Sequence, residues 1–125
     1  MVLERGIIML TVKEAAKRVS IPTSTIRYYD KEGLLPFIER DENGYRVFKE
    51  EDLFWLELVT CMRKTKMSIG VLRHVAHLYM EGDKTLDERI KIFQDHQKKL
   101  LKQKQDVEDA LEKLEIKMNI LRSTS

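Results

Sequence analysis

The C-terminal third of the chain carries the pattern that most restricts its fold. Ile90, Gln97, Lys104, Leu111 and Met118 hold one position of a heptad, and Phe93, Leu100, Val107, Leu114 and Leu121 hold the other. Thr85-Leu86-Asp87-Glu88 has the form of a capping box and marks the start of this helix. Running from about Leu86 to Leu121, it would be roughly 50 Å long at 1.5 Å per residue. A chain of 125 residues has no internal partner for a seam of that length. The economical solution is a two-stranded coiled coil with a second copy of the chain. Gln97 and Lys104 interrupt the seam and are expected to cost stability while fixing register. The pattern does not set strand direction.

The residues ahead of that helix must then form a small head. Thr11-Val12-Lys13-Glu14 is a second capping box, followed by Val12, Ala15, Ala16 and Val19 at helical spacing. Ser20 stands at the turn where glycine is common, and a non-glycine residue with positive φ costs about 1 kcal/mol there. Pro22 suits a helix start, and the second helix should run from about Pro22–Thr23 to Lys31–Glu32, stopped by Gly33. Ile26 and Tyr29 point to one side of it, toward the core. Thr23 and Ser24 at its start, then Arg27, Tyr28 and Lys31, offer hydroxyls, a guanidinium, a phenol and an ammonium on the other. Those donors suit phosphate oxygens and base edges, and residues in the first half of such a helix sit deepest in a DNA groove. Asn43-Gly44 predicts a tight hairpin turn between Phe37-Ile38-Glu39-Arg40 and Tyr45-Arg46-Val47-Phe48. Arg40, Tyr45 and Arg46 would cluster on that wing and neutralise phosphates.

TIRYYDKEGLLP, followed by RDENGYRVF and a helix, resembles the N-terminal domain of MerR-family transcription regulators. The resemblance covers about Leu10 to Leu56. It implies a mainly α fold: a winged helix-turn-helix head with a small β-hairpin wing, and a long C-terminal helix forming an antiparallel dimeric coiled coil. Each long helix would pack near the other subunit's head. It also implies DNA contacts from Arg27, Tyr28, Tyr29, Arg40, Tyr45 and Arg46. With Thr11, Thr23, Ser24 and Lys31 these make the candidate DNA-binding set. The implied partners are double-stranded promoter DNA, a second copy of the chain and RNA polymerase. The implied mechanism bends and untwists an overlong promoter spacer. The domain boundaries expected are an extension over residues 1–9, a head over 10–82, and the dimerisation helix with a short tail over 83–125. The chain stops at Arg122-Ser-Thr-Ser, so no separate effector domain is expected, and a signal would enter where head and coiled coil join.

Between these parts, Lys49 to about Lys66 reads as a helix with Glu50, Glu51 and Asp52 at its favourable N-terminal end. Leu53, Phe54, Trp55, Leu56, Leu58, Val59 and Met62 make it apolar on nearly every side, as expected of a helix buried between two partners. Ser68 caps a further helix with Ile69, Leu72, Val75, Ala76 and Tyr79 as its buried stripe, and Glu81-Gly82-Asp83-Lys84 breaks the chain. Cys61 lies in line with Phe54 and Leu58. It reads either as a small core residue, since free cysteine is commonly buried, or as a reactive thiol, which would need a cation close by. Its neighbourhood, TCMRKTKMSIGVLRHVAHLYMEGDKTLDERI, resembles the single-cysteine, AdhR- or NmlR-like branch of MerR regulators, and that resemblance implies a sensor of aldehydes and other electrophiles.

Other functions find little support. Metal-sensing relatives place cysteines at the start of the dimer helix and in a loop after it; here neither region has one, and a soft-metal site needs such ligands. His74 and His77 with Cys61 make a weak alternative set. A ligand pocket lined by Phe54, Trp55, Met62 and Tyr79 is the alternative sensor, with ordinary core packing as its rival. A coiled-coil interaction protein whose winged helix does not bind DNA is the rival from another class; the net charge of +2 does not exclude it. No Gly-rich phosphate loop or credible acid–base pair indicates an enzyme, and no cofactor is implied. No apolar run is long enough to span a membrane, no secretory signal is visible, and a lone cysteine suits the cytoplasm.

Overall fold

The computed structural model describes residues 8–124. Its elements in order are β1 (Leu10–Thr11), α1 (Val12–Val19), α2 (Thr23–Lys31), β2 (Glu39–Arg40), β3 (Arg46–Phe48), α3 (Glu50–Lys64), α4 (Ile69–Met80), a 3₁₀ turn (Asp83–Thr85) and α5 (Leu86–Ser123). The chain forms two compact units, Met1–Arg89 and Ile90–Ser125. Most of the expected extension lies outside the described residues. Where it is described, Met9 is buried and Leu10 opens a strand, so the core reaches past the expected boundary.

Side chains and turns set each helix end. Thr11 accepts from the N–H of Glu14 at 3.1 Å, and its own N–H donates to Glu14 Oε1 at 2.9 Å, which is the expected capping box. The Thr11 N–H and then its hydroxyl hold the Glu14 carboxyl below its ordinary value. Ser20 adopts the left-handed conformation (φ 57°), and Ile21 N–H reaches back to Ala16 O. The same closure ends α2. Gly33 has φ 78°, its N–H donates to Asp30 O, and Leu34 N–H donates to Tyr29 O. Arg73 of α4 covers that turn, donating from Nε to Glu32 O at 2.7 Å. Pro22 is extended and sits one residue outside the helix, its carbonyl accepting from Thr25 N–H.

The sheet has an order and a turn that the sequence pattern did not predict. β1 joins the hairpin as a third strand, giving β1-β3-β2, with Leu10 opposite Phe48 and Arg40 opposite Arg46. The hairpin closes between Asp41 and Tyr45, with Glu42-Asn43-Gly44 as its loop. Asp41 O accepts from Gly44 N–H, Asp41 Oδ1 accepts from the N–H groups of Asn43 and Tyr45, and only Gly44 has positive φ. This is a turn followed by a left-handed glycine rather than a two-residue Asn-Gly turn.

Ala15, Ala16, Ile26, Tyr29, Leu34, Phe48, Leu53, Leu56, Val59, Leu72, Val75 and Ala76 form the core of the head. In α3 the buried positions are Asp52, Leu53, Leu56 and Val59, while Phe54 stands 69% exposed, so this chain by itself covers only one face of that helix. In α4 the inward residue near the end is Leu78, not Tyr79, which is 43% exposed. Thr85 does not cap α5. Its hydroxyl lies 2.6 Å from Leu78 O and 2.9 Å from Gly82 O, and accepts from Arg89 Nε at 3.0 Å, tying the turn back to α4. α5 is one continuous helix of 38 residues, about 57 Å at 1.5 Å per residue, with no buried residue.

Candidate nucleic-acid interface

α2 divides its residues as its periodicity requires. Ile26 is fully buried and Tyr29 nearly so, whereas Ser24, Arg27, Tyr28 and Lys31 are exposed and Thr23 is half-buried at the N-terminal end. The Tyr29 hydroxyl lies 3.0 Å from Thr60 Oγ1. Thr60 spends its own proton on Leu56 O at 2.8 Å, so Tyr29 is the donor in that pair. This corrects the expectation drawn from the resemblance. The single phenolic proton of Tyr29 is used inside the head, and its ring stands 6.3 Å from that of Tyr28, the outward member of the pair. Thr11 is exposed at the start of α1. Its oxygen serves as the cap, which leaves its hydroxyl hydrogen available to donate.

The wing presents Tyr45, 71% exposed, at its tip, and Arg40 and Arg46 on paired strands. Both arginines turn toward α2. Arg46 donates from Nε to Asp30 Oδ2 at 2.5 Å, and Arg40 Nη2 lies 3.9 Å from the same oxygen while its Nη1 donates to Gly44 O. Of the expected arginines, Arg27 is open and Arg40 mostly so, whereas Arg46 is tied at one edge. Asp30 was missed in the sequence because its partner lies sixteen residues away, across the hairpin.

Cys61 is exposed, on the side of α3 that also bears Phe54. Within one chain it is therefore not a core residue. Arg63, one of the two basic residues near it in sequence, donates to Met67 O at 2.8 Å. Of the residues considered for a ligand pocket, Trp55 and Tyr79 both pack edge-on against Phe37, and the Trp55 indole N–H donates to Leu34 O. His74 faces Glu88, Nε2 to Oε1 3.7 Å, and among the described residues no group of three or more His, Cys, Asp or Glu is placed to hold a metal ion. No helix among them is long and apolar enough to cross a membrane.

Residues 11–48, spanning α1, α2 and the wing, match the model of the MerR family regulatory protein. An HTH-type transcriptional regulator of Haemophilus influenzae is 39% identical over 108 residues, 86% of this chain and 80% of that protein. The chain belongs to the MerR family. Within it, AdhR of Bacillus subtilis is 35% identical over 92 residues, covering 74% of this chain and 66% of AdhR. The crystal structure of HiNmlR, a MerR family regulator lacking the sensor domain and bound to promoter DNA, superposes with a TM-score of 0.80 at 36% identity, over 93% of this chain and 92% of that one. A MerR family regulator from Bacillus thuringiensis gives 0.78 at 38% identity, over 89% and 97%. This MerR protein is thus a DNA-binding transcriptional regulator of the NmlR- and AdhR-like branch, not an enzyme.

Proposed function

We propose that this regulator binds promoter DNA as a homodimer through the outer face of α2 and the wing, and that electrophiles acting at Cys61 switch it. The observation that carries the DNA-binding surface is the alignment of Ser24, Arg27, Tyr28 and Lys31 on the open face of α2, with the wing tied beside them through Asp30 and Arg46. Thr23, Ser24 and Arg27, near the start of α2, read bases; Tyr28, Lys31, Arg40, Tyr45, Arg46 and Thr11 hold phosphates. The heptad seam of α5, with Val107, Leu111, Leu114 and Leu121 all more than half exposed, supports a second copy as partner. Two heads related by a two-fold axis fit a pseudo-palindromic operator. The likeness to MerR regulators supports antiparallel pairing, binding within an overlong promoter spacer, and distortion of that spacer so that RNA polymerase can engage; a bend of this kind costs a few kcal/mol.

Electrophile sensing rests on the exposure of Cys61 on the line of α3 that also carries the exposed Phe54 and the half-buried Leu58. Partner packing against this line would make the dimer respond to a change in the thiol's size or charge. A reactive thiolate needs a cation. Arg63 is occupied elsewhere, so Lys64 or a basic residue of the second copy supplies it.

The deciding experiment pairs chemistry with transcription. Wild type and Cys61→Ser are treated briefly with formaldehyde, methylglyoxal and diamide and read by mass spectrometry, and both drive a reporter from the promoter upstream of the regulator's own coding sequence. Selective modification of Cys61 is expected, with operator affinity unchanged in the serine variant and its response abolished. An intact response in Cys61→Ser eliminates the sensor. A gel shift that shows no DNA binding even at low salt would instead favour an interaction protein whose winged helix has lost DNA.

A further inference from the structure

Asp30 stands between Arg27 and Lys31 in sequence and against both wing arginines, so it places a negative charge beside a surface meant for phosphates. Charge alone would make it unfavourable there. Its geometry gives it another use. Asp30 Oδ2 accepts a hydrogen bond from Arg46 Nε–H, and both side chains are about three-quarters covered, with relative exposures of 24% and 26%. A guanidinium held through Nε keeps the N–H donors of its outer edge, between the two Nη groups, open to another acceptor. Arg46 belongs to β3 and Asp30 to α2, so one bond orients the guanidinium and ties the wing to the helix. Arg40 lies farther from the carboxylate, at 3.9 Å, and is held instead by the Gly44 carbonyl.

We propose that Asp30 is a positioning residue of the DNA-binding surface: its carboxylate fixes Arg46 through Nε so that the free Nη groups meet a DNA phosphate. The inference rests on the reading of α2 and the wing as the DNA-facing surface. It differs from two simpler roles. A carboxylate that only quenched Arg46 would weaken binding, and its removal would tighten the complex. A carboxylate that only clamped the fold would affect stability and leave phosphate contacts alone.

The test uses the full chain and a short random-sequence DNA duplex, because phosphate contacts do not depend on sequence. Binding is followed by fluorescence anisotropy across a salt series for wild type, Asp30→Ala, Asp30→Asn, Arg46→Ala and the Asp30→Ala/Arg46→Ala pair, with melting recorded for each. Asp30→Ala is expected to bind about tenfold more weakly. The slope of log affinity against log salt should flatten by about 0.9 for each head engaged. Arg46→Ala should do the same, and the double variant should lose little more. Asp30→Asn, whose amide oxygen can still accept from Nε, should restore the wild-type slope. Asp30→Ser serves the same comparison if the alanine variant unfolds. An Asp30→Ala protein that binds as tightly as wild type or more tightly overturns the proposal, as does one with a lower melting temperature but an unchanged salt slope. Wild type that fails to bind the duplex at low salt would remove the DNA-facing surface itself, and the inference with it. Wild type that binds while Asp30→Ala matches it would remove the inference alone.

Discussion

Tyr28 and Tyr29 are chemically identical neighbours with different surroundings. Tyr29 donates its phenolic proton to Thr60 inside the head, and Tyr28 is 46% exposed. Tyr29→Phe should therefore cost about 0.5–1.5 kcal/mol of stability, the usual worth of one such hydrogen bond, and leave DNA affinity unchanged; Tyr28→Phe should show the reverse. Urea titration and anisotropy separate the two effects, and a Tyr29→Phe protein that loses affinity as Tyr28→Phe does would contradict the assignment. Asp52 is a second case in which burial decides the chemistry. Burial pushes its carboxyl above the ordinary value, outweighing the hydrogen bond from Lys49 N–H and the Lys49 charge, which pull it down. A raised carboxyl pKa contributes stability that is present below the unfolded value, near 4, and is lost as pH rises through the folded value. Asp52→Asn keeps an acceptor for Lys49 N–H. Its melting temperature relative to wild type should rise as pH increases from about 3 through the acid range and then level off. A difference that shrinks over that range would reverse the sign of the shift.

At the scale of elements, the turns carry information that helical periodicity does not. Ser20 and Lys66 both adopt positive φ, at 57° and 72°, and each sits where a helix turns back on itself. Lys66 N–H donates to Arg63 O and Met67 N–H to Met62 O, the closure that glycine makes without strain. Lys66→Gly should raise stability by about 0.5–1 kcal/mol, because relief of the left-handed strain exceeds the added freedom of the unfolded chain. Thermal unfolding checks this, and a fall in melting temperature would mean that the lysine side chain contributes more than its backbone costs. The helix starts at Thr11 and Ser68 were legible because a cap acts within a few residues. The Thr85 cap failed for the opposite reason: a competing carbonyl on α4, at Leu78, took the hydroxyl.

For the molecule as a whole, the seam of α5 is a run of exposed apolar side chains. Val107, Leu111, Leu114 and Leu121 are between 53% and 68% exposed along one helix. Leu111→Asp should shift a dimer toward monomer in sedimentation equilibrium and weaken DNA binding through loss of the paired heads. Gln97→Leu or Lys104→Leu should strengthen association, since each polar seam position is costly. A protein that sediments as a monomer at micromolar concentration before mutation would dismiss the coiled coil.

Local chemistry let the sequence determine the order of the helices and the hairpin, the inward and outward faces of α2, the caps at Thr11 and Ser68, the left-handed Gly33 and the long uninterrupted α5. Each depends on residues a turn or two apart, where the side-chain period and the backbone preference coincide. Only the tertiary structure decided what required distant partners. It brought Leu10 beside Phe48 as a third strand, gave the proton of Tyr29 to Thr60, tied Arg46 to Asp30, left Cys61 and Phe54 in the open, and turned Leu78 rather than Tyr79 inward. In each case two or more side-chain or backbone arrangements are equally acceptable locally, and the choice falls to whichever neighbour the fold delivers.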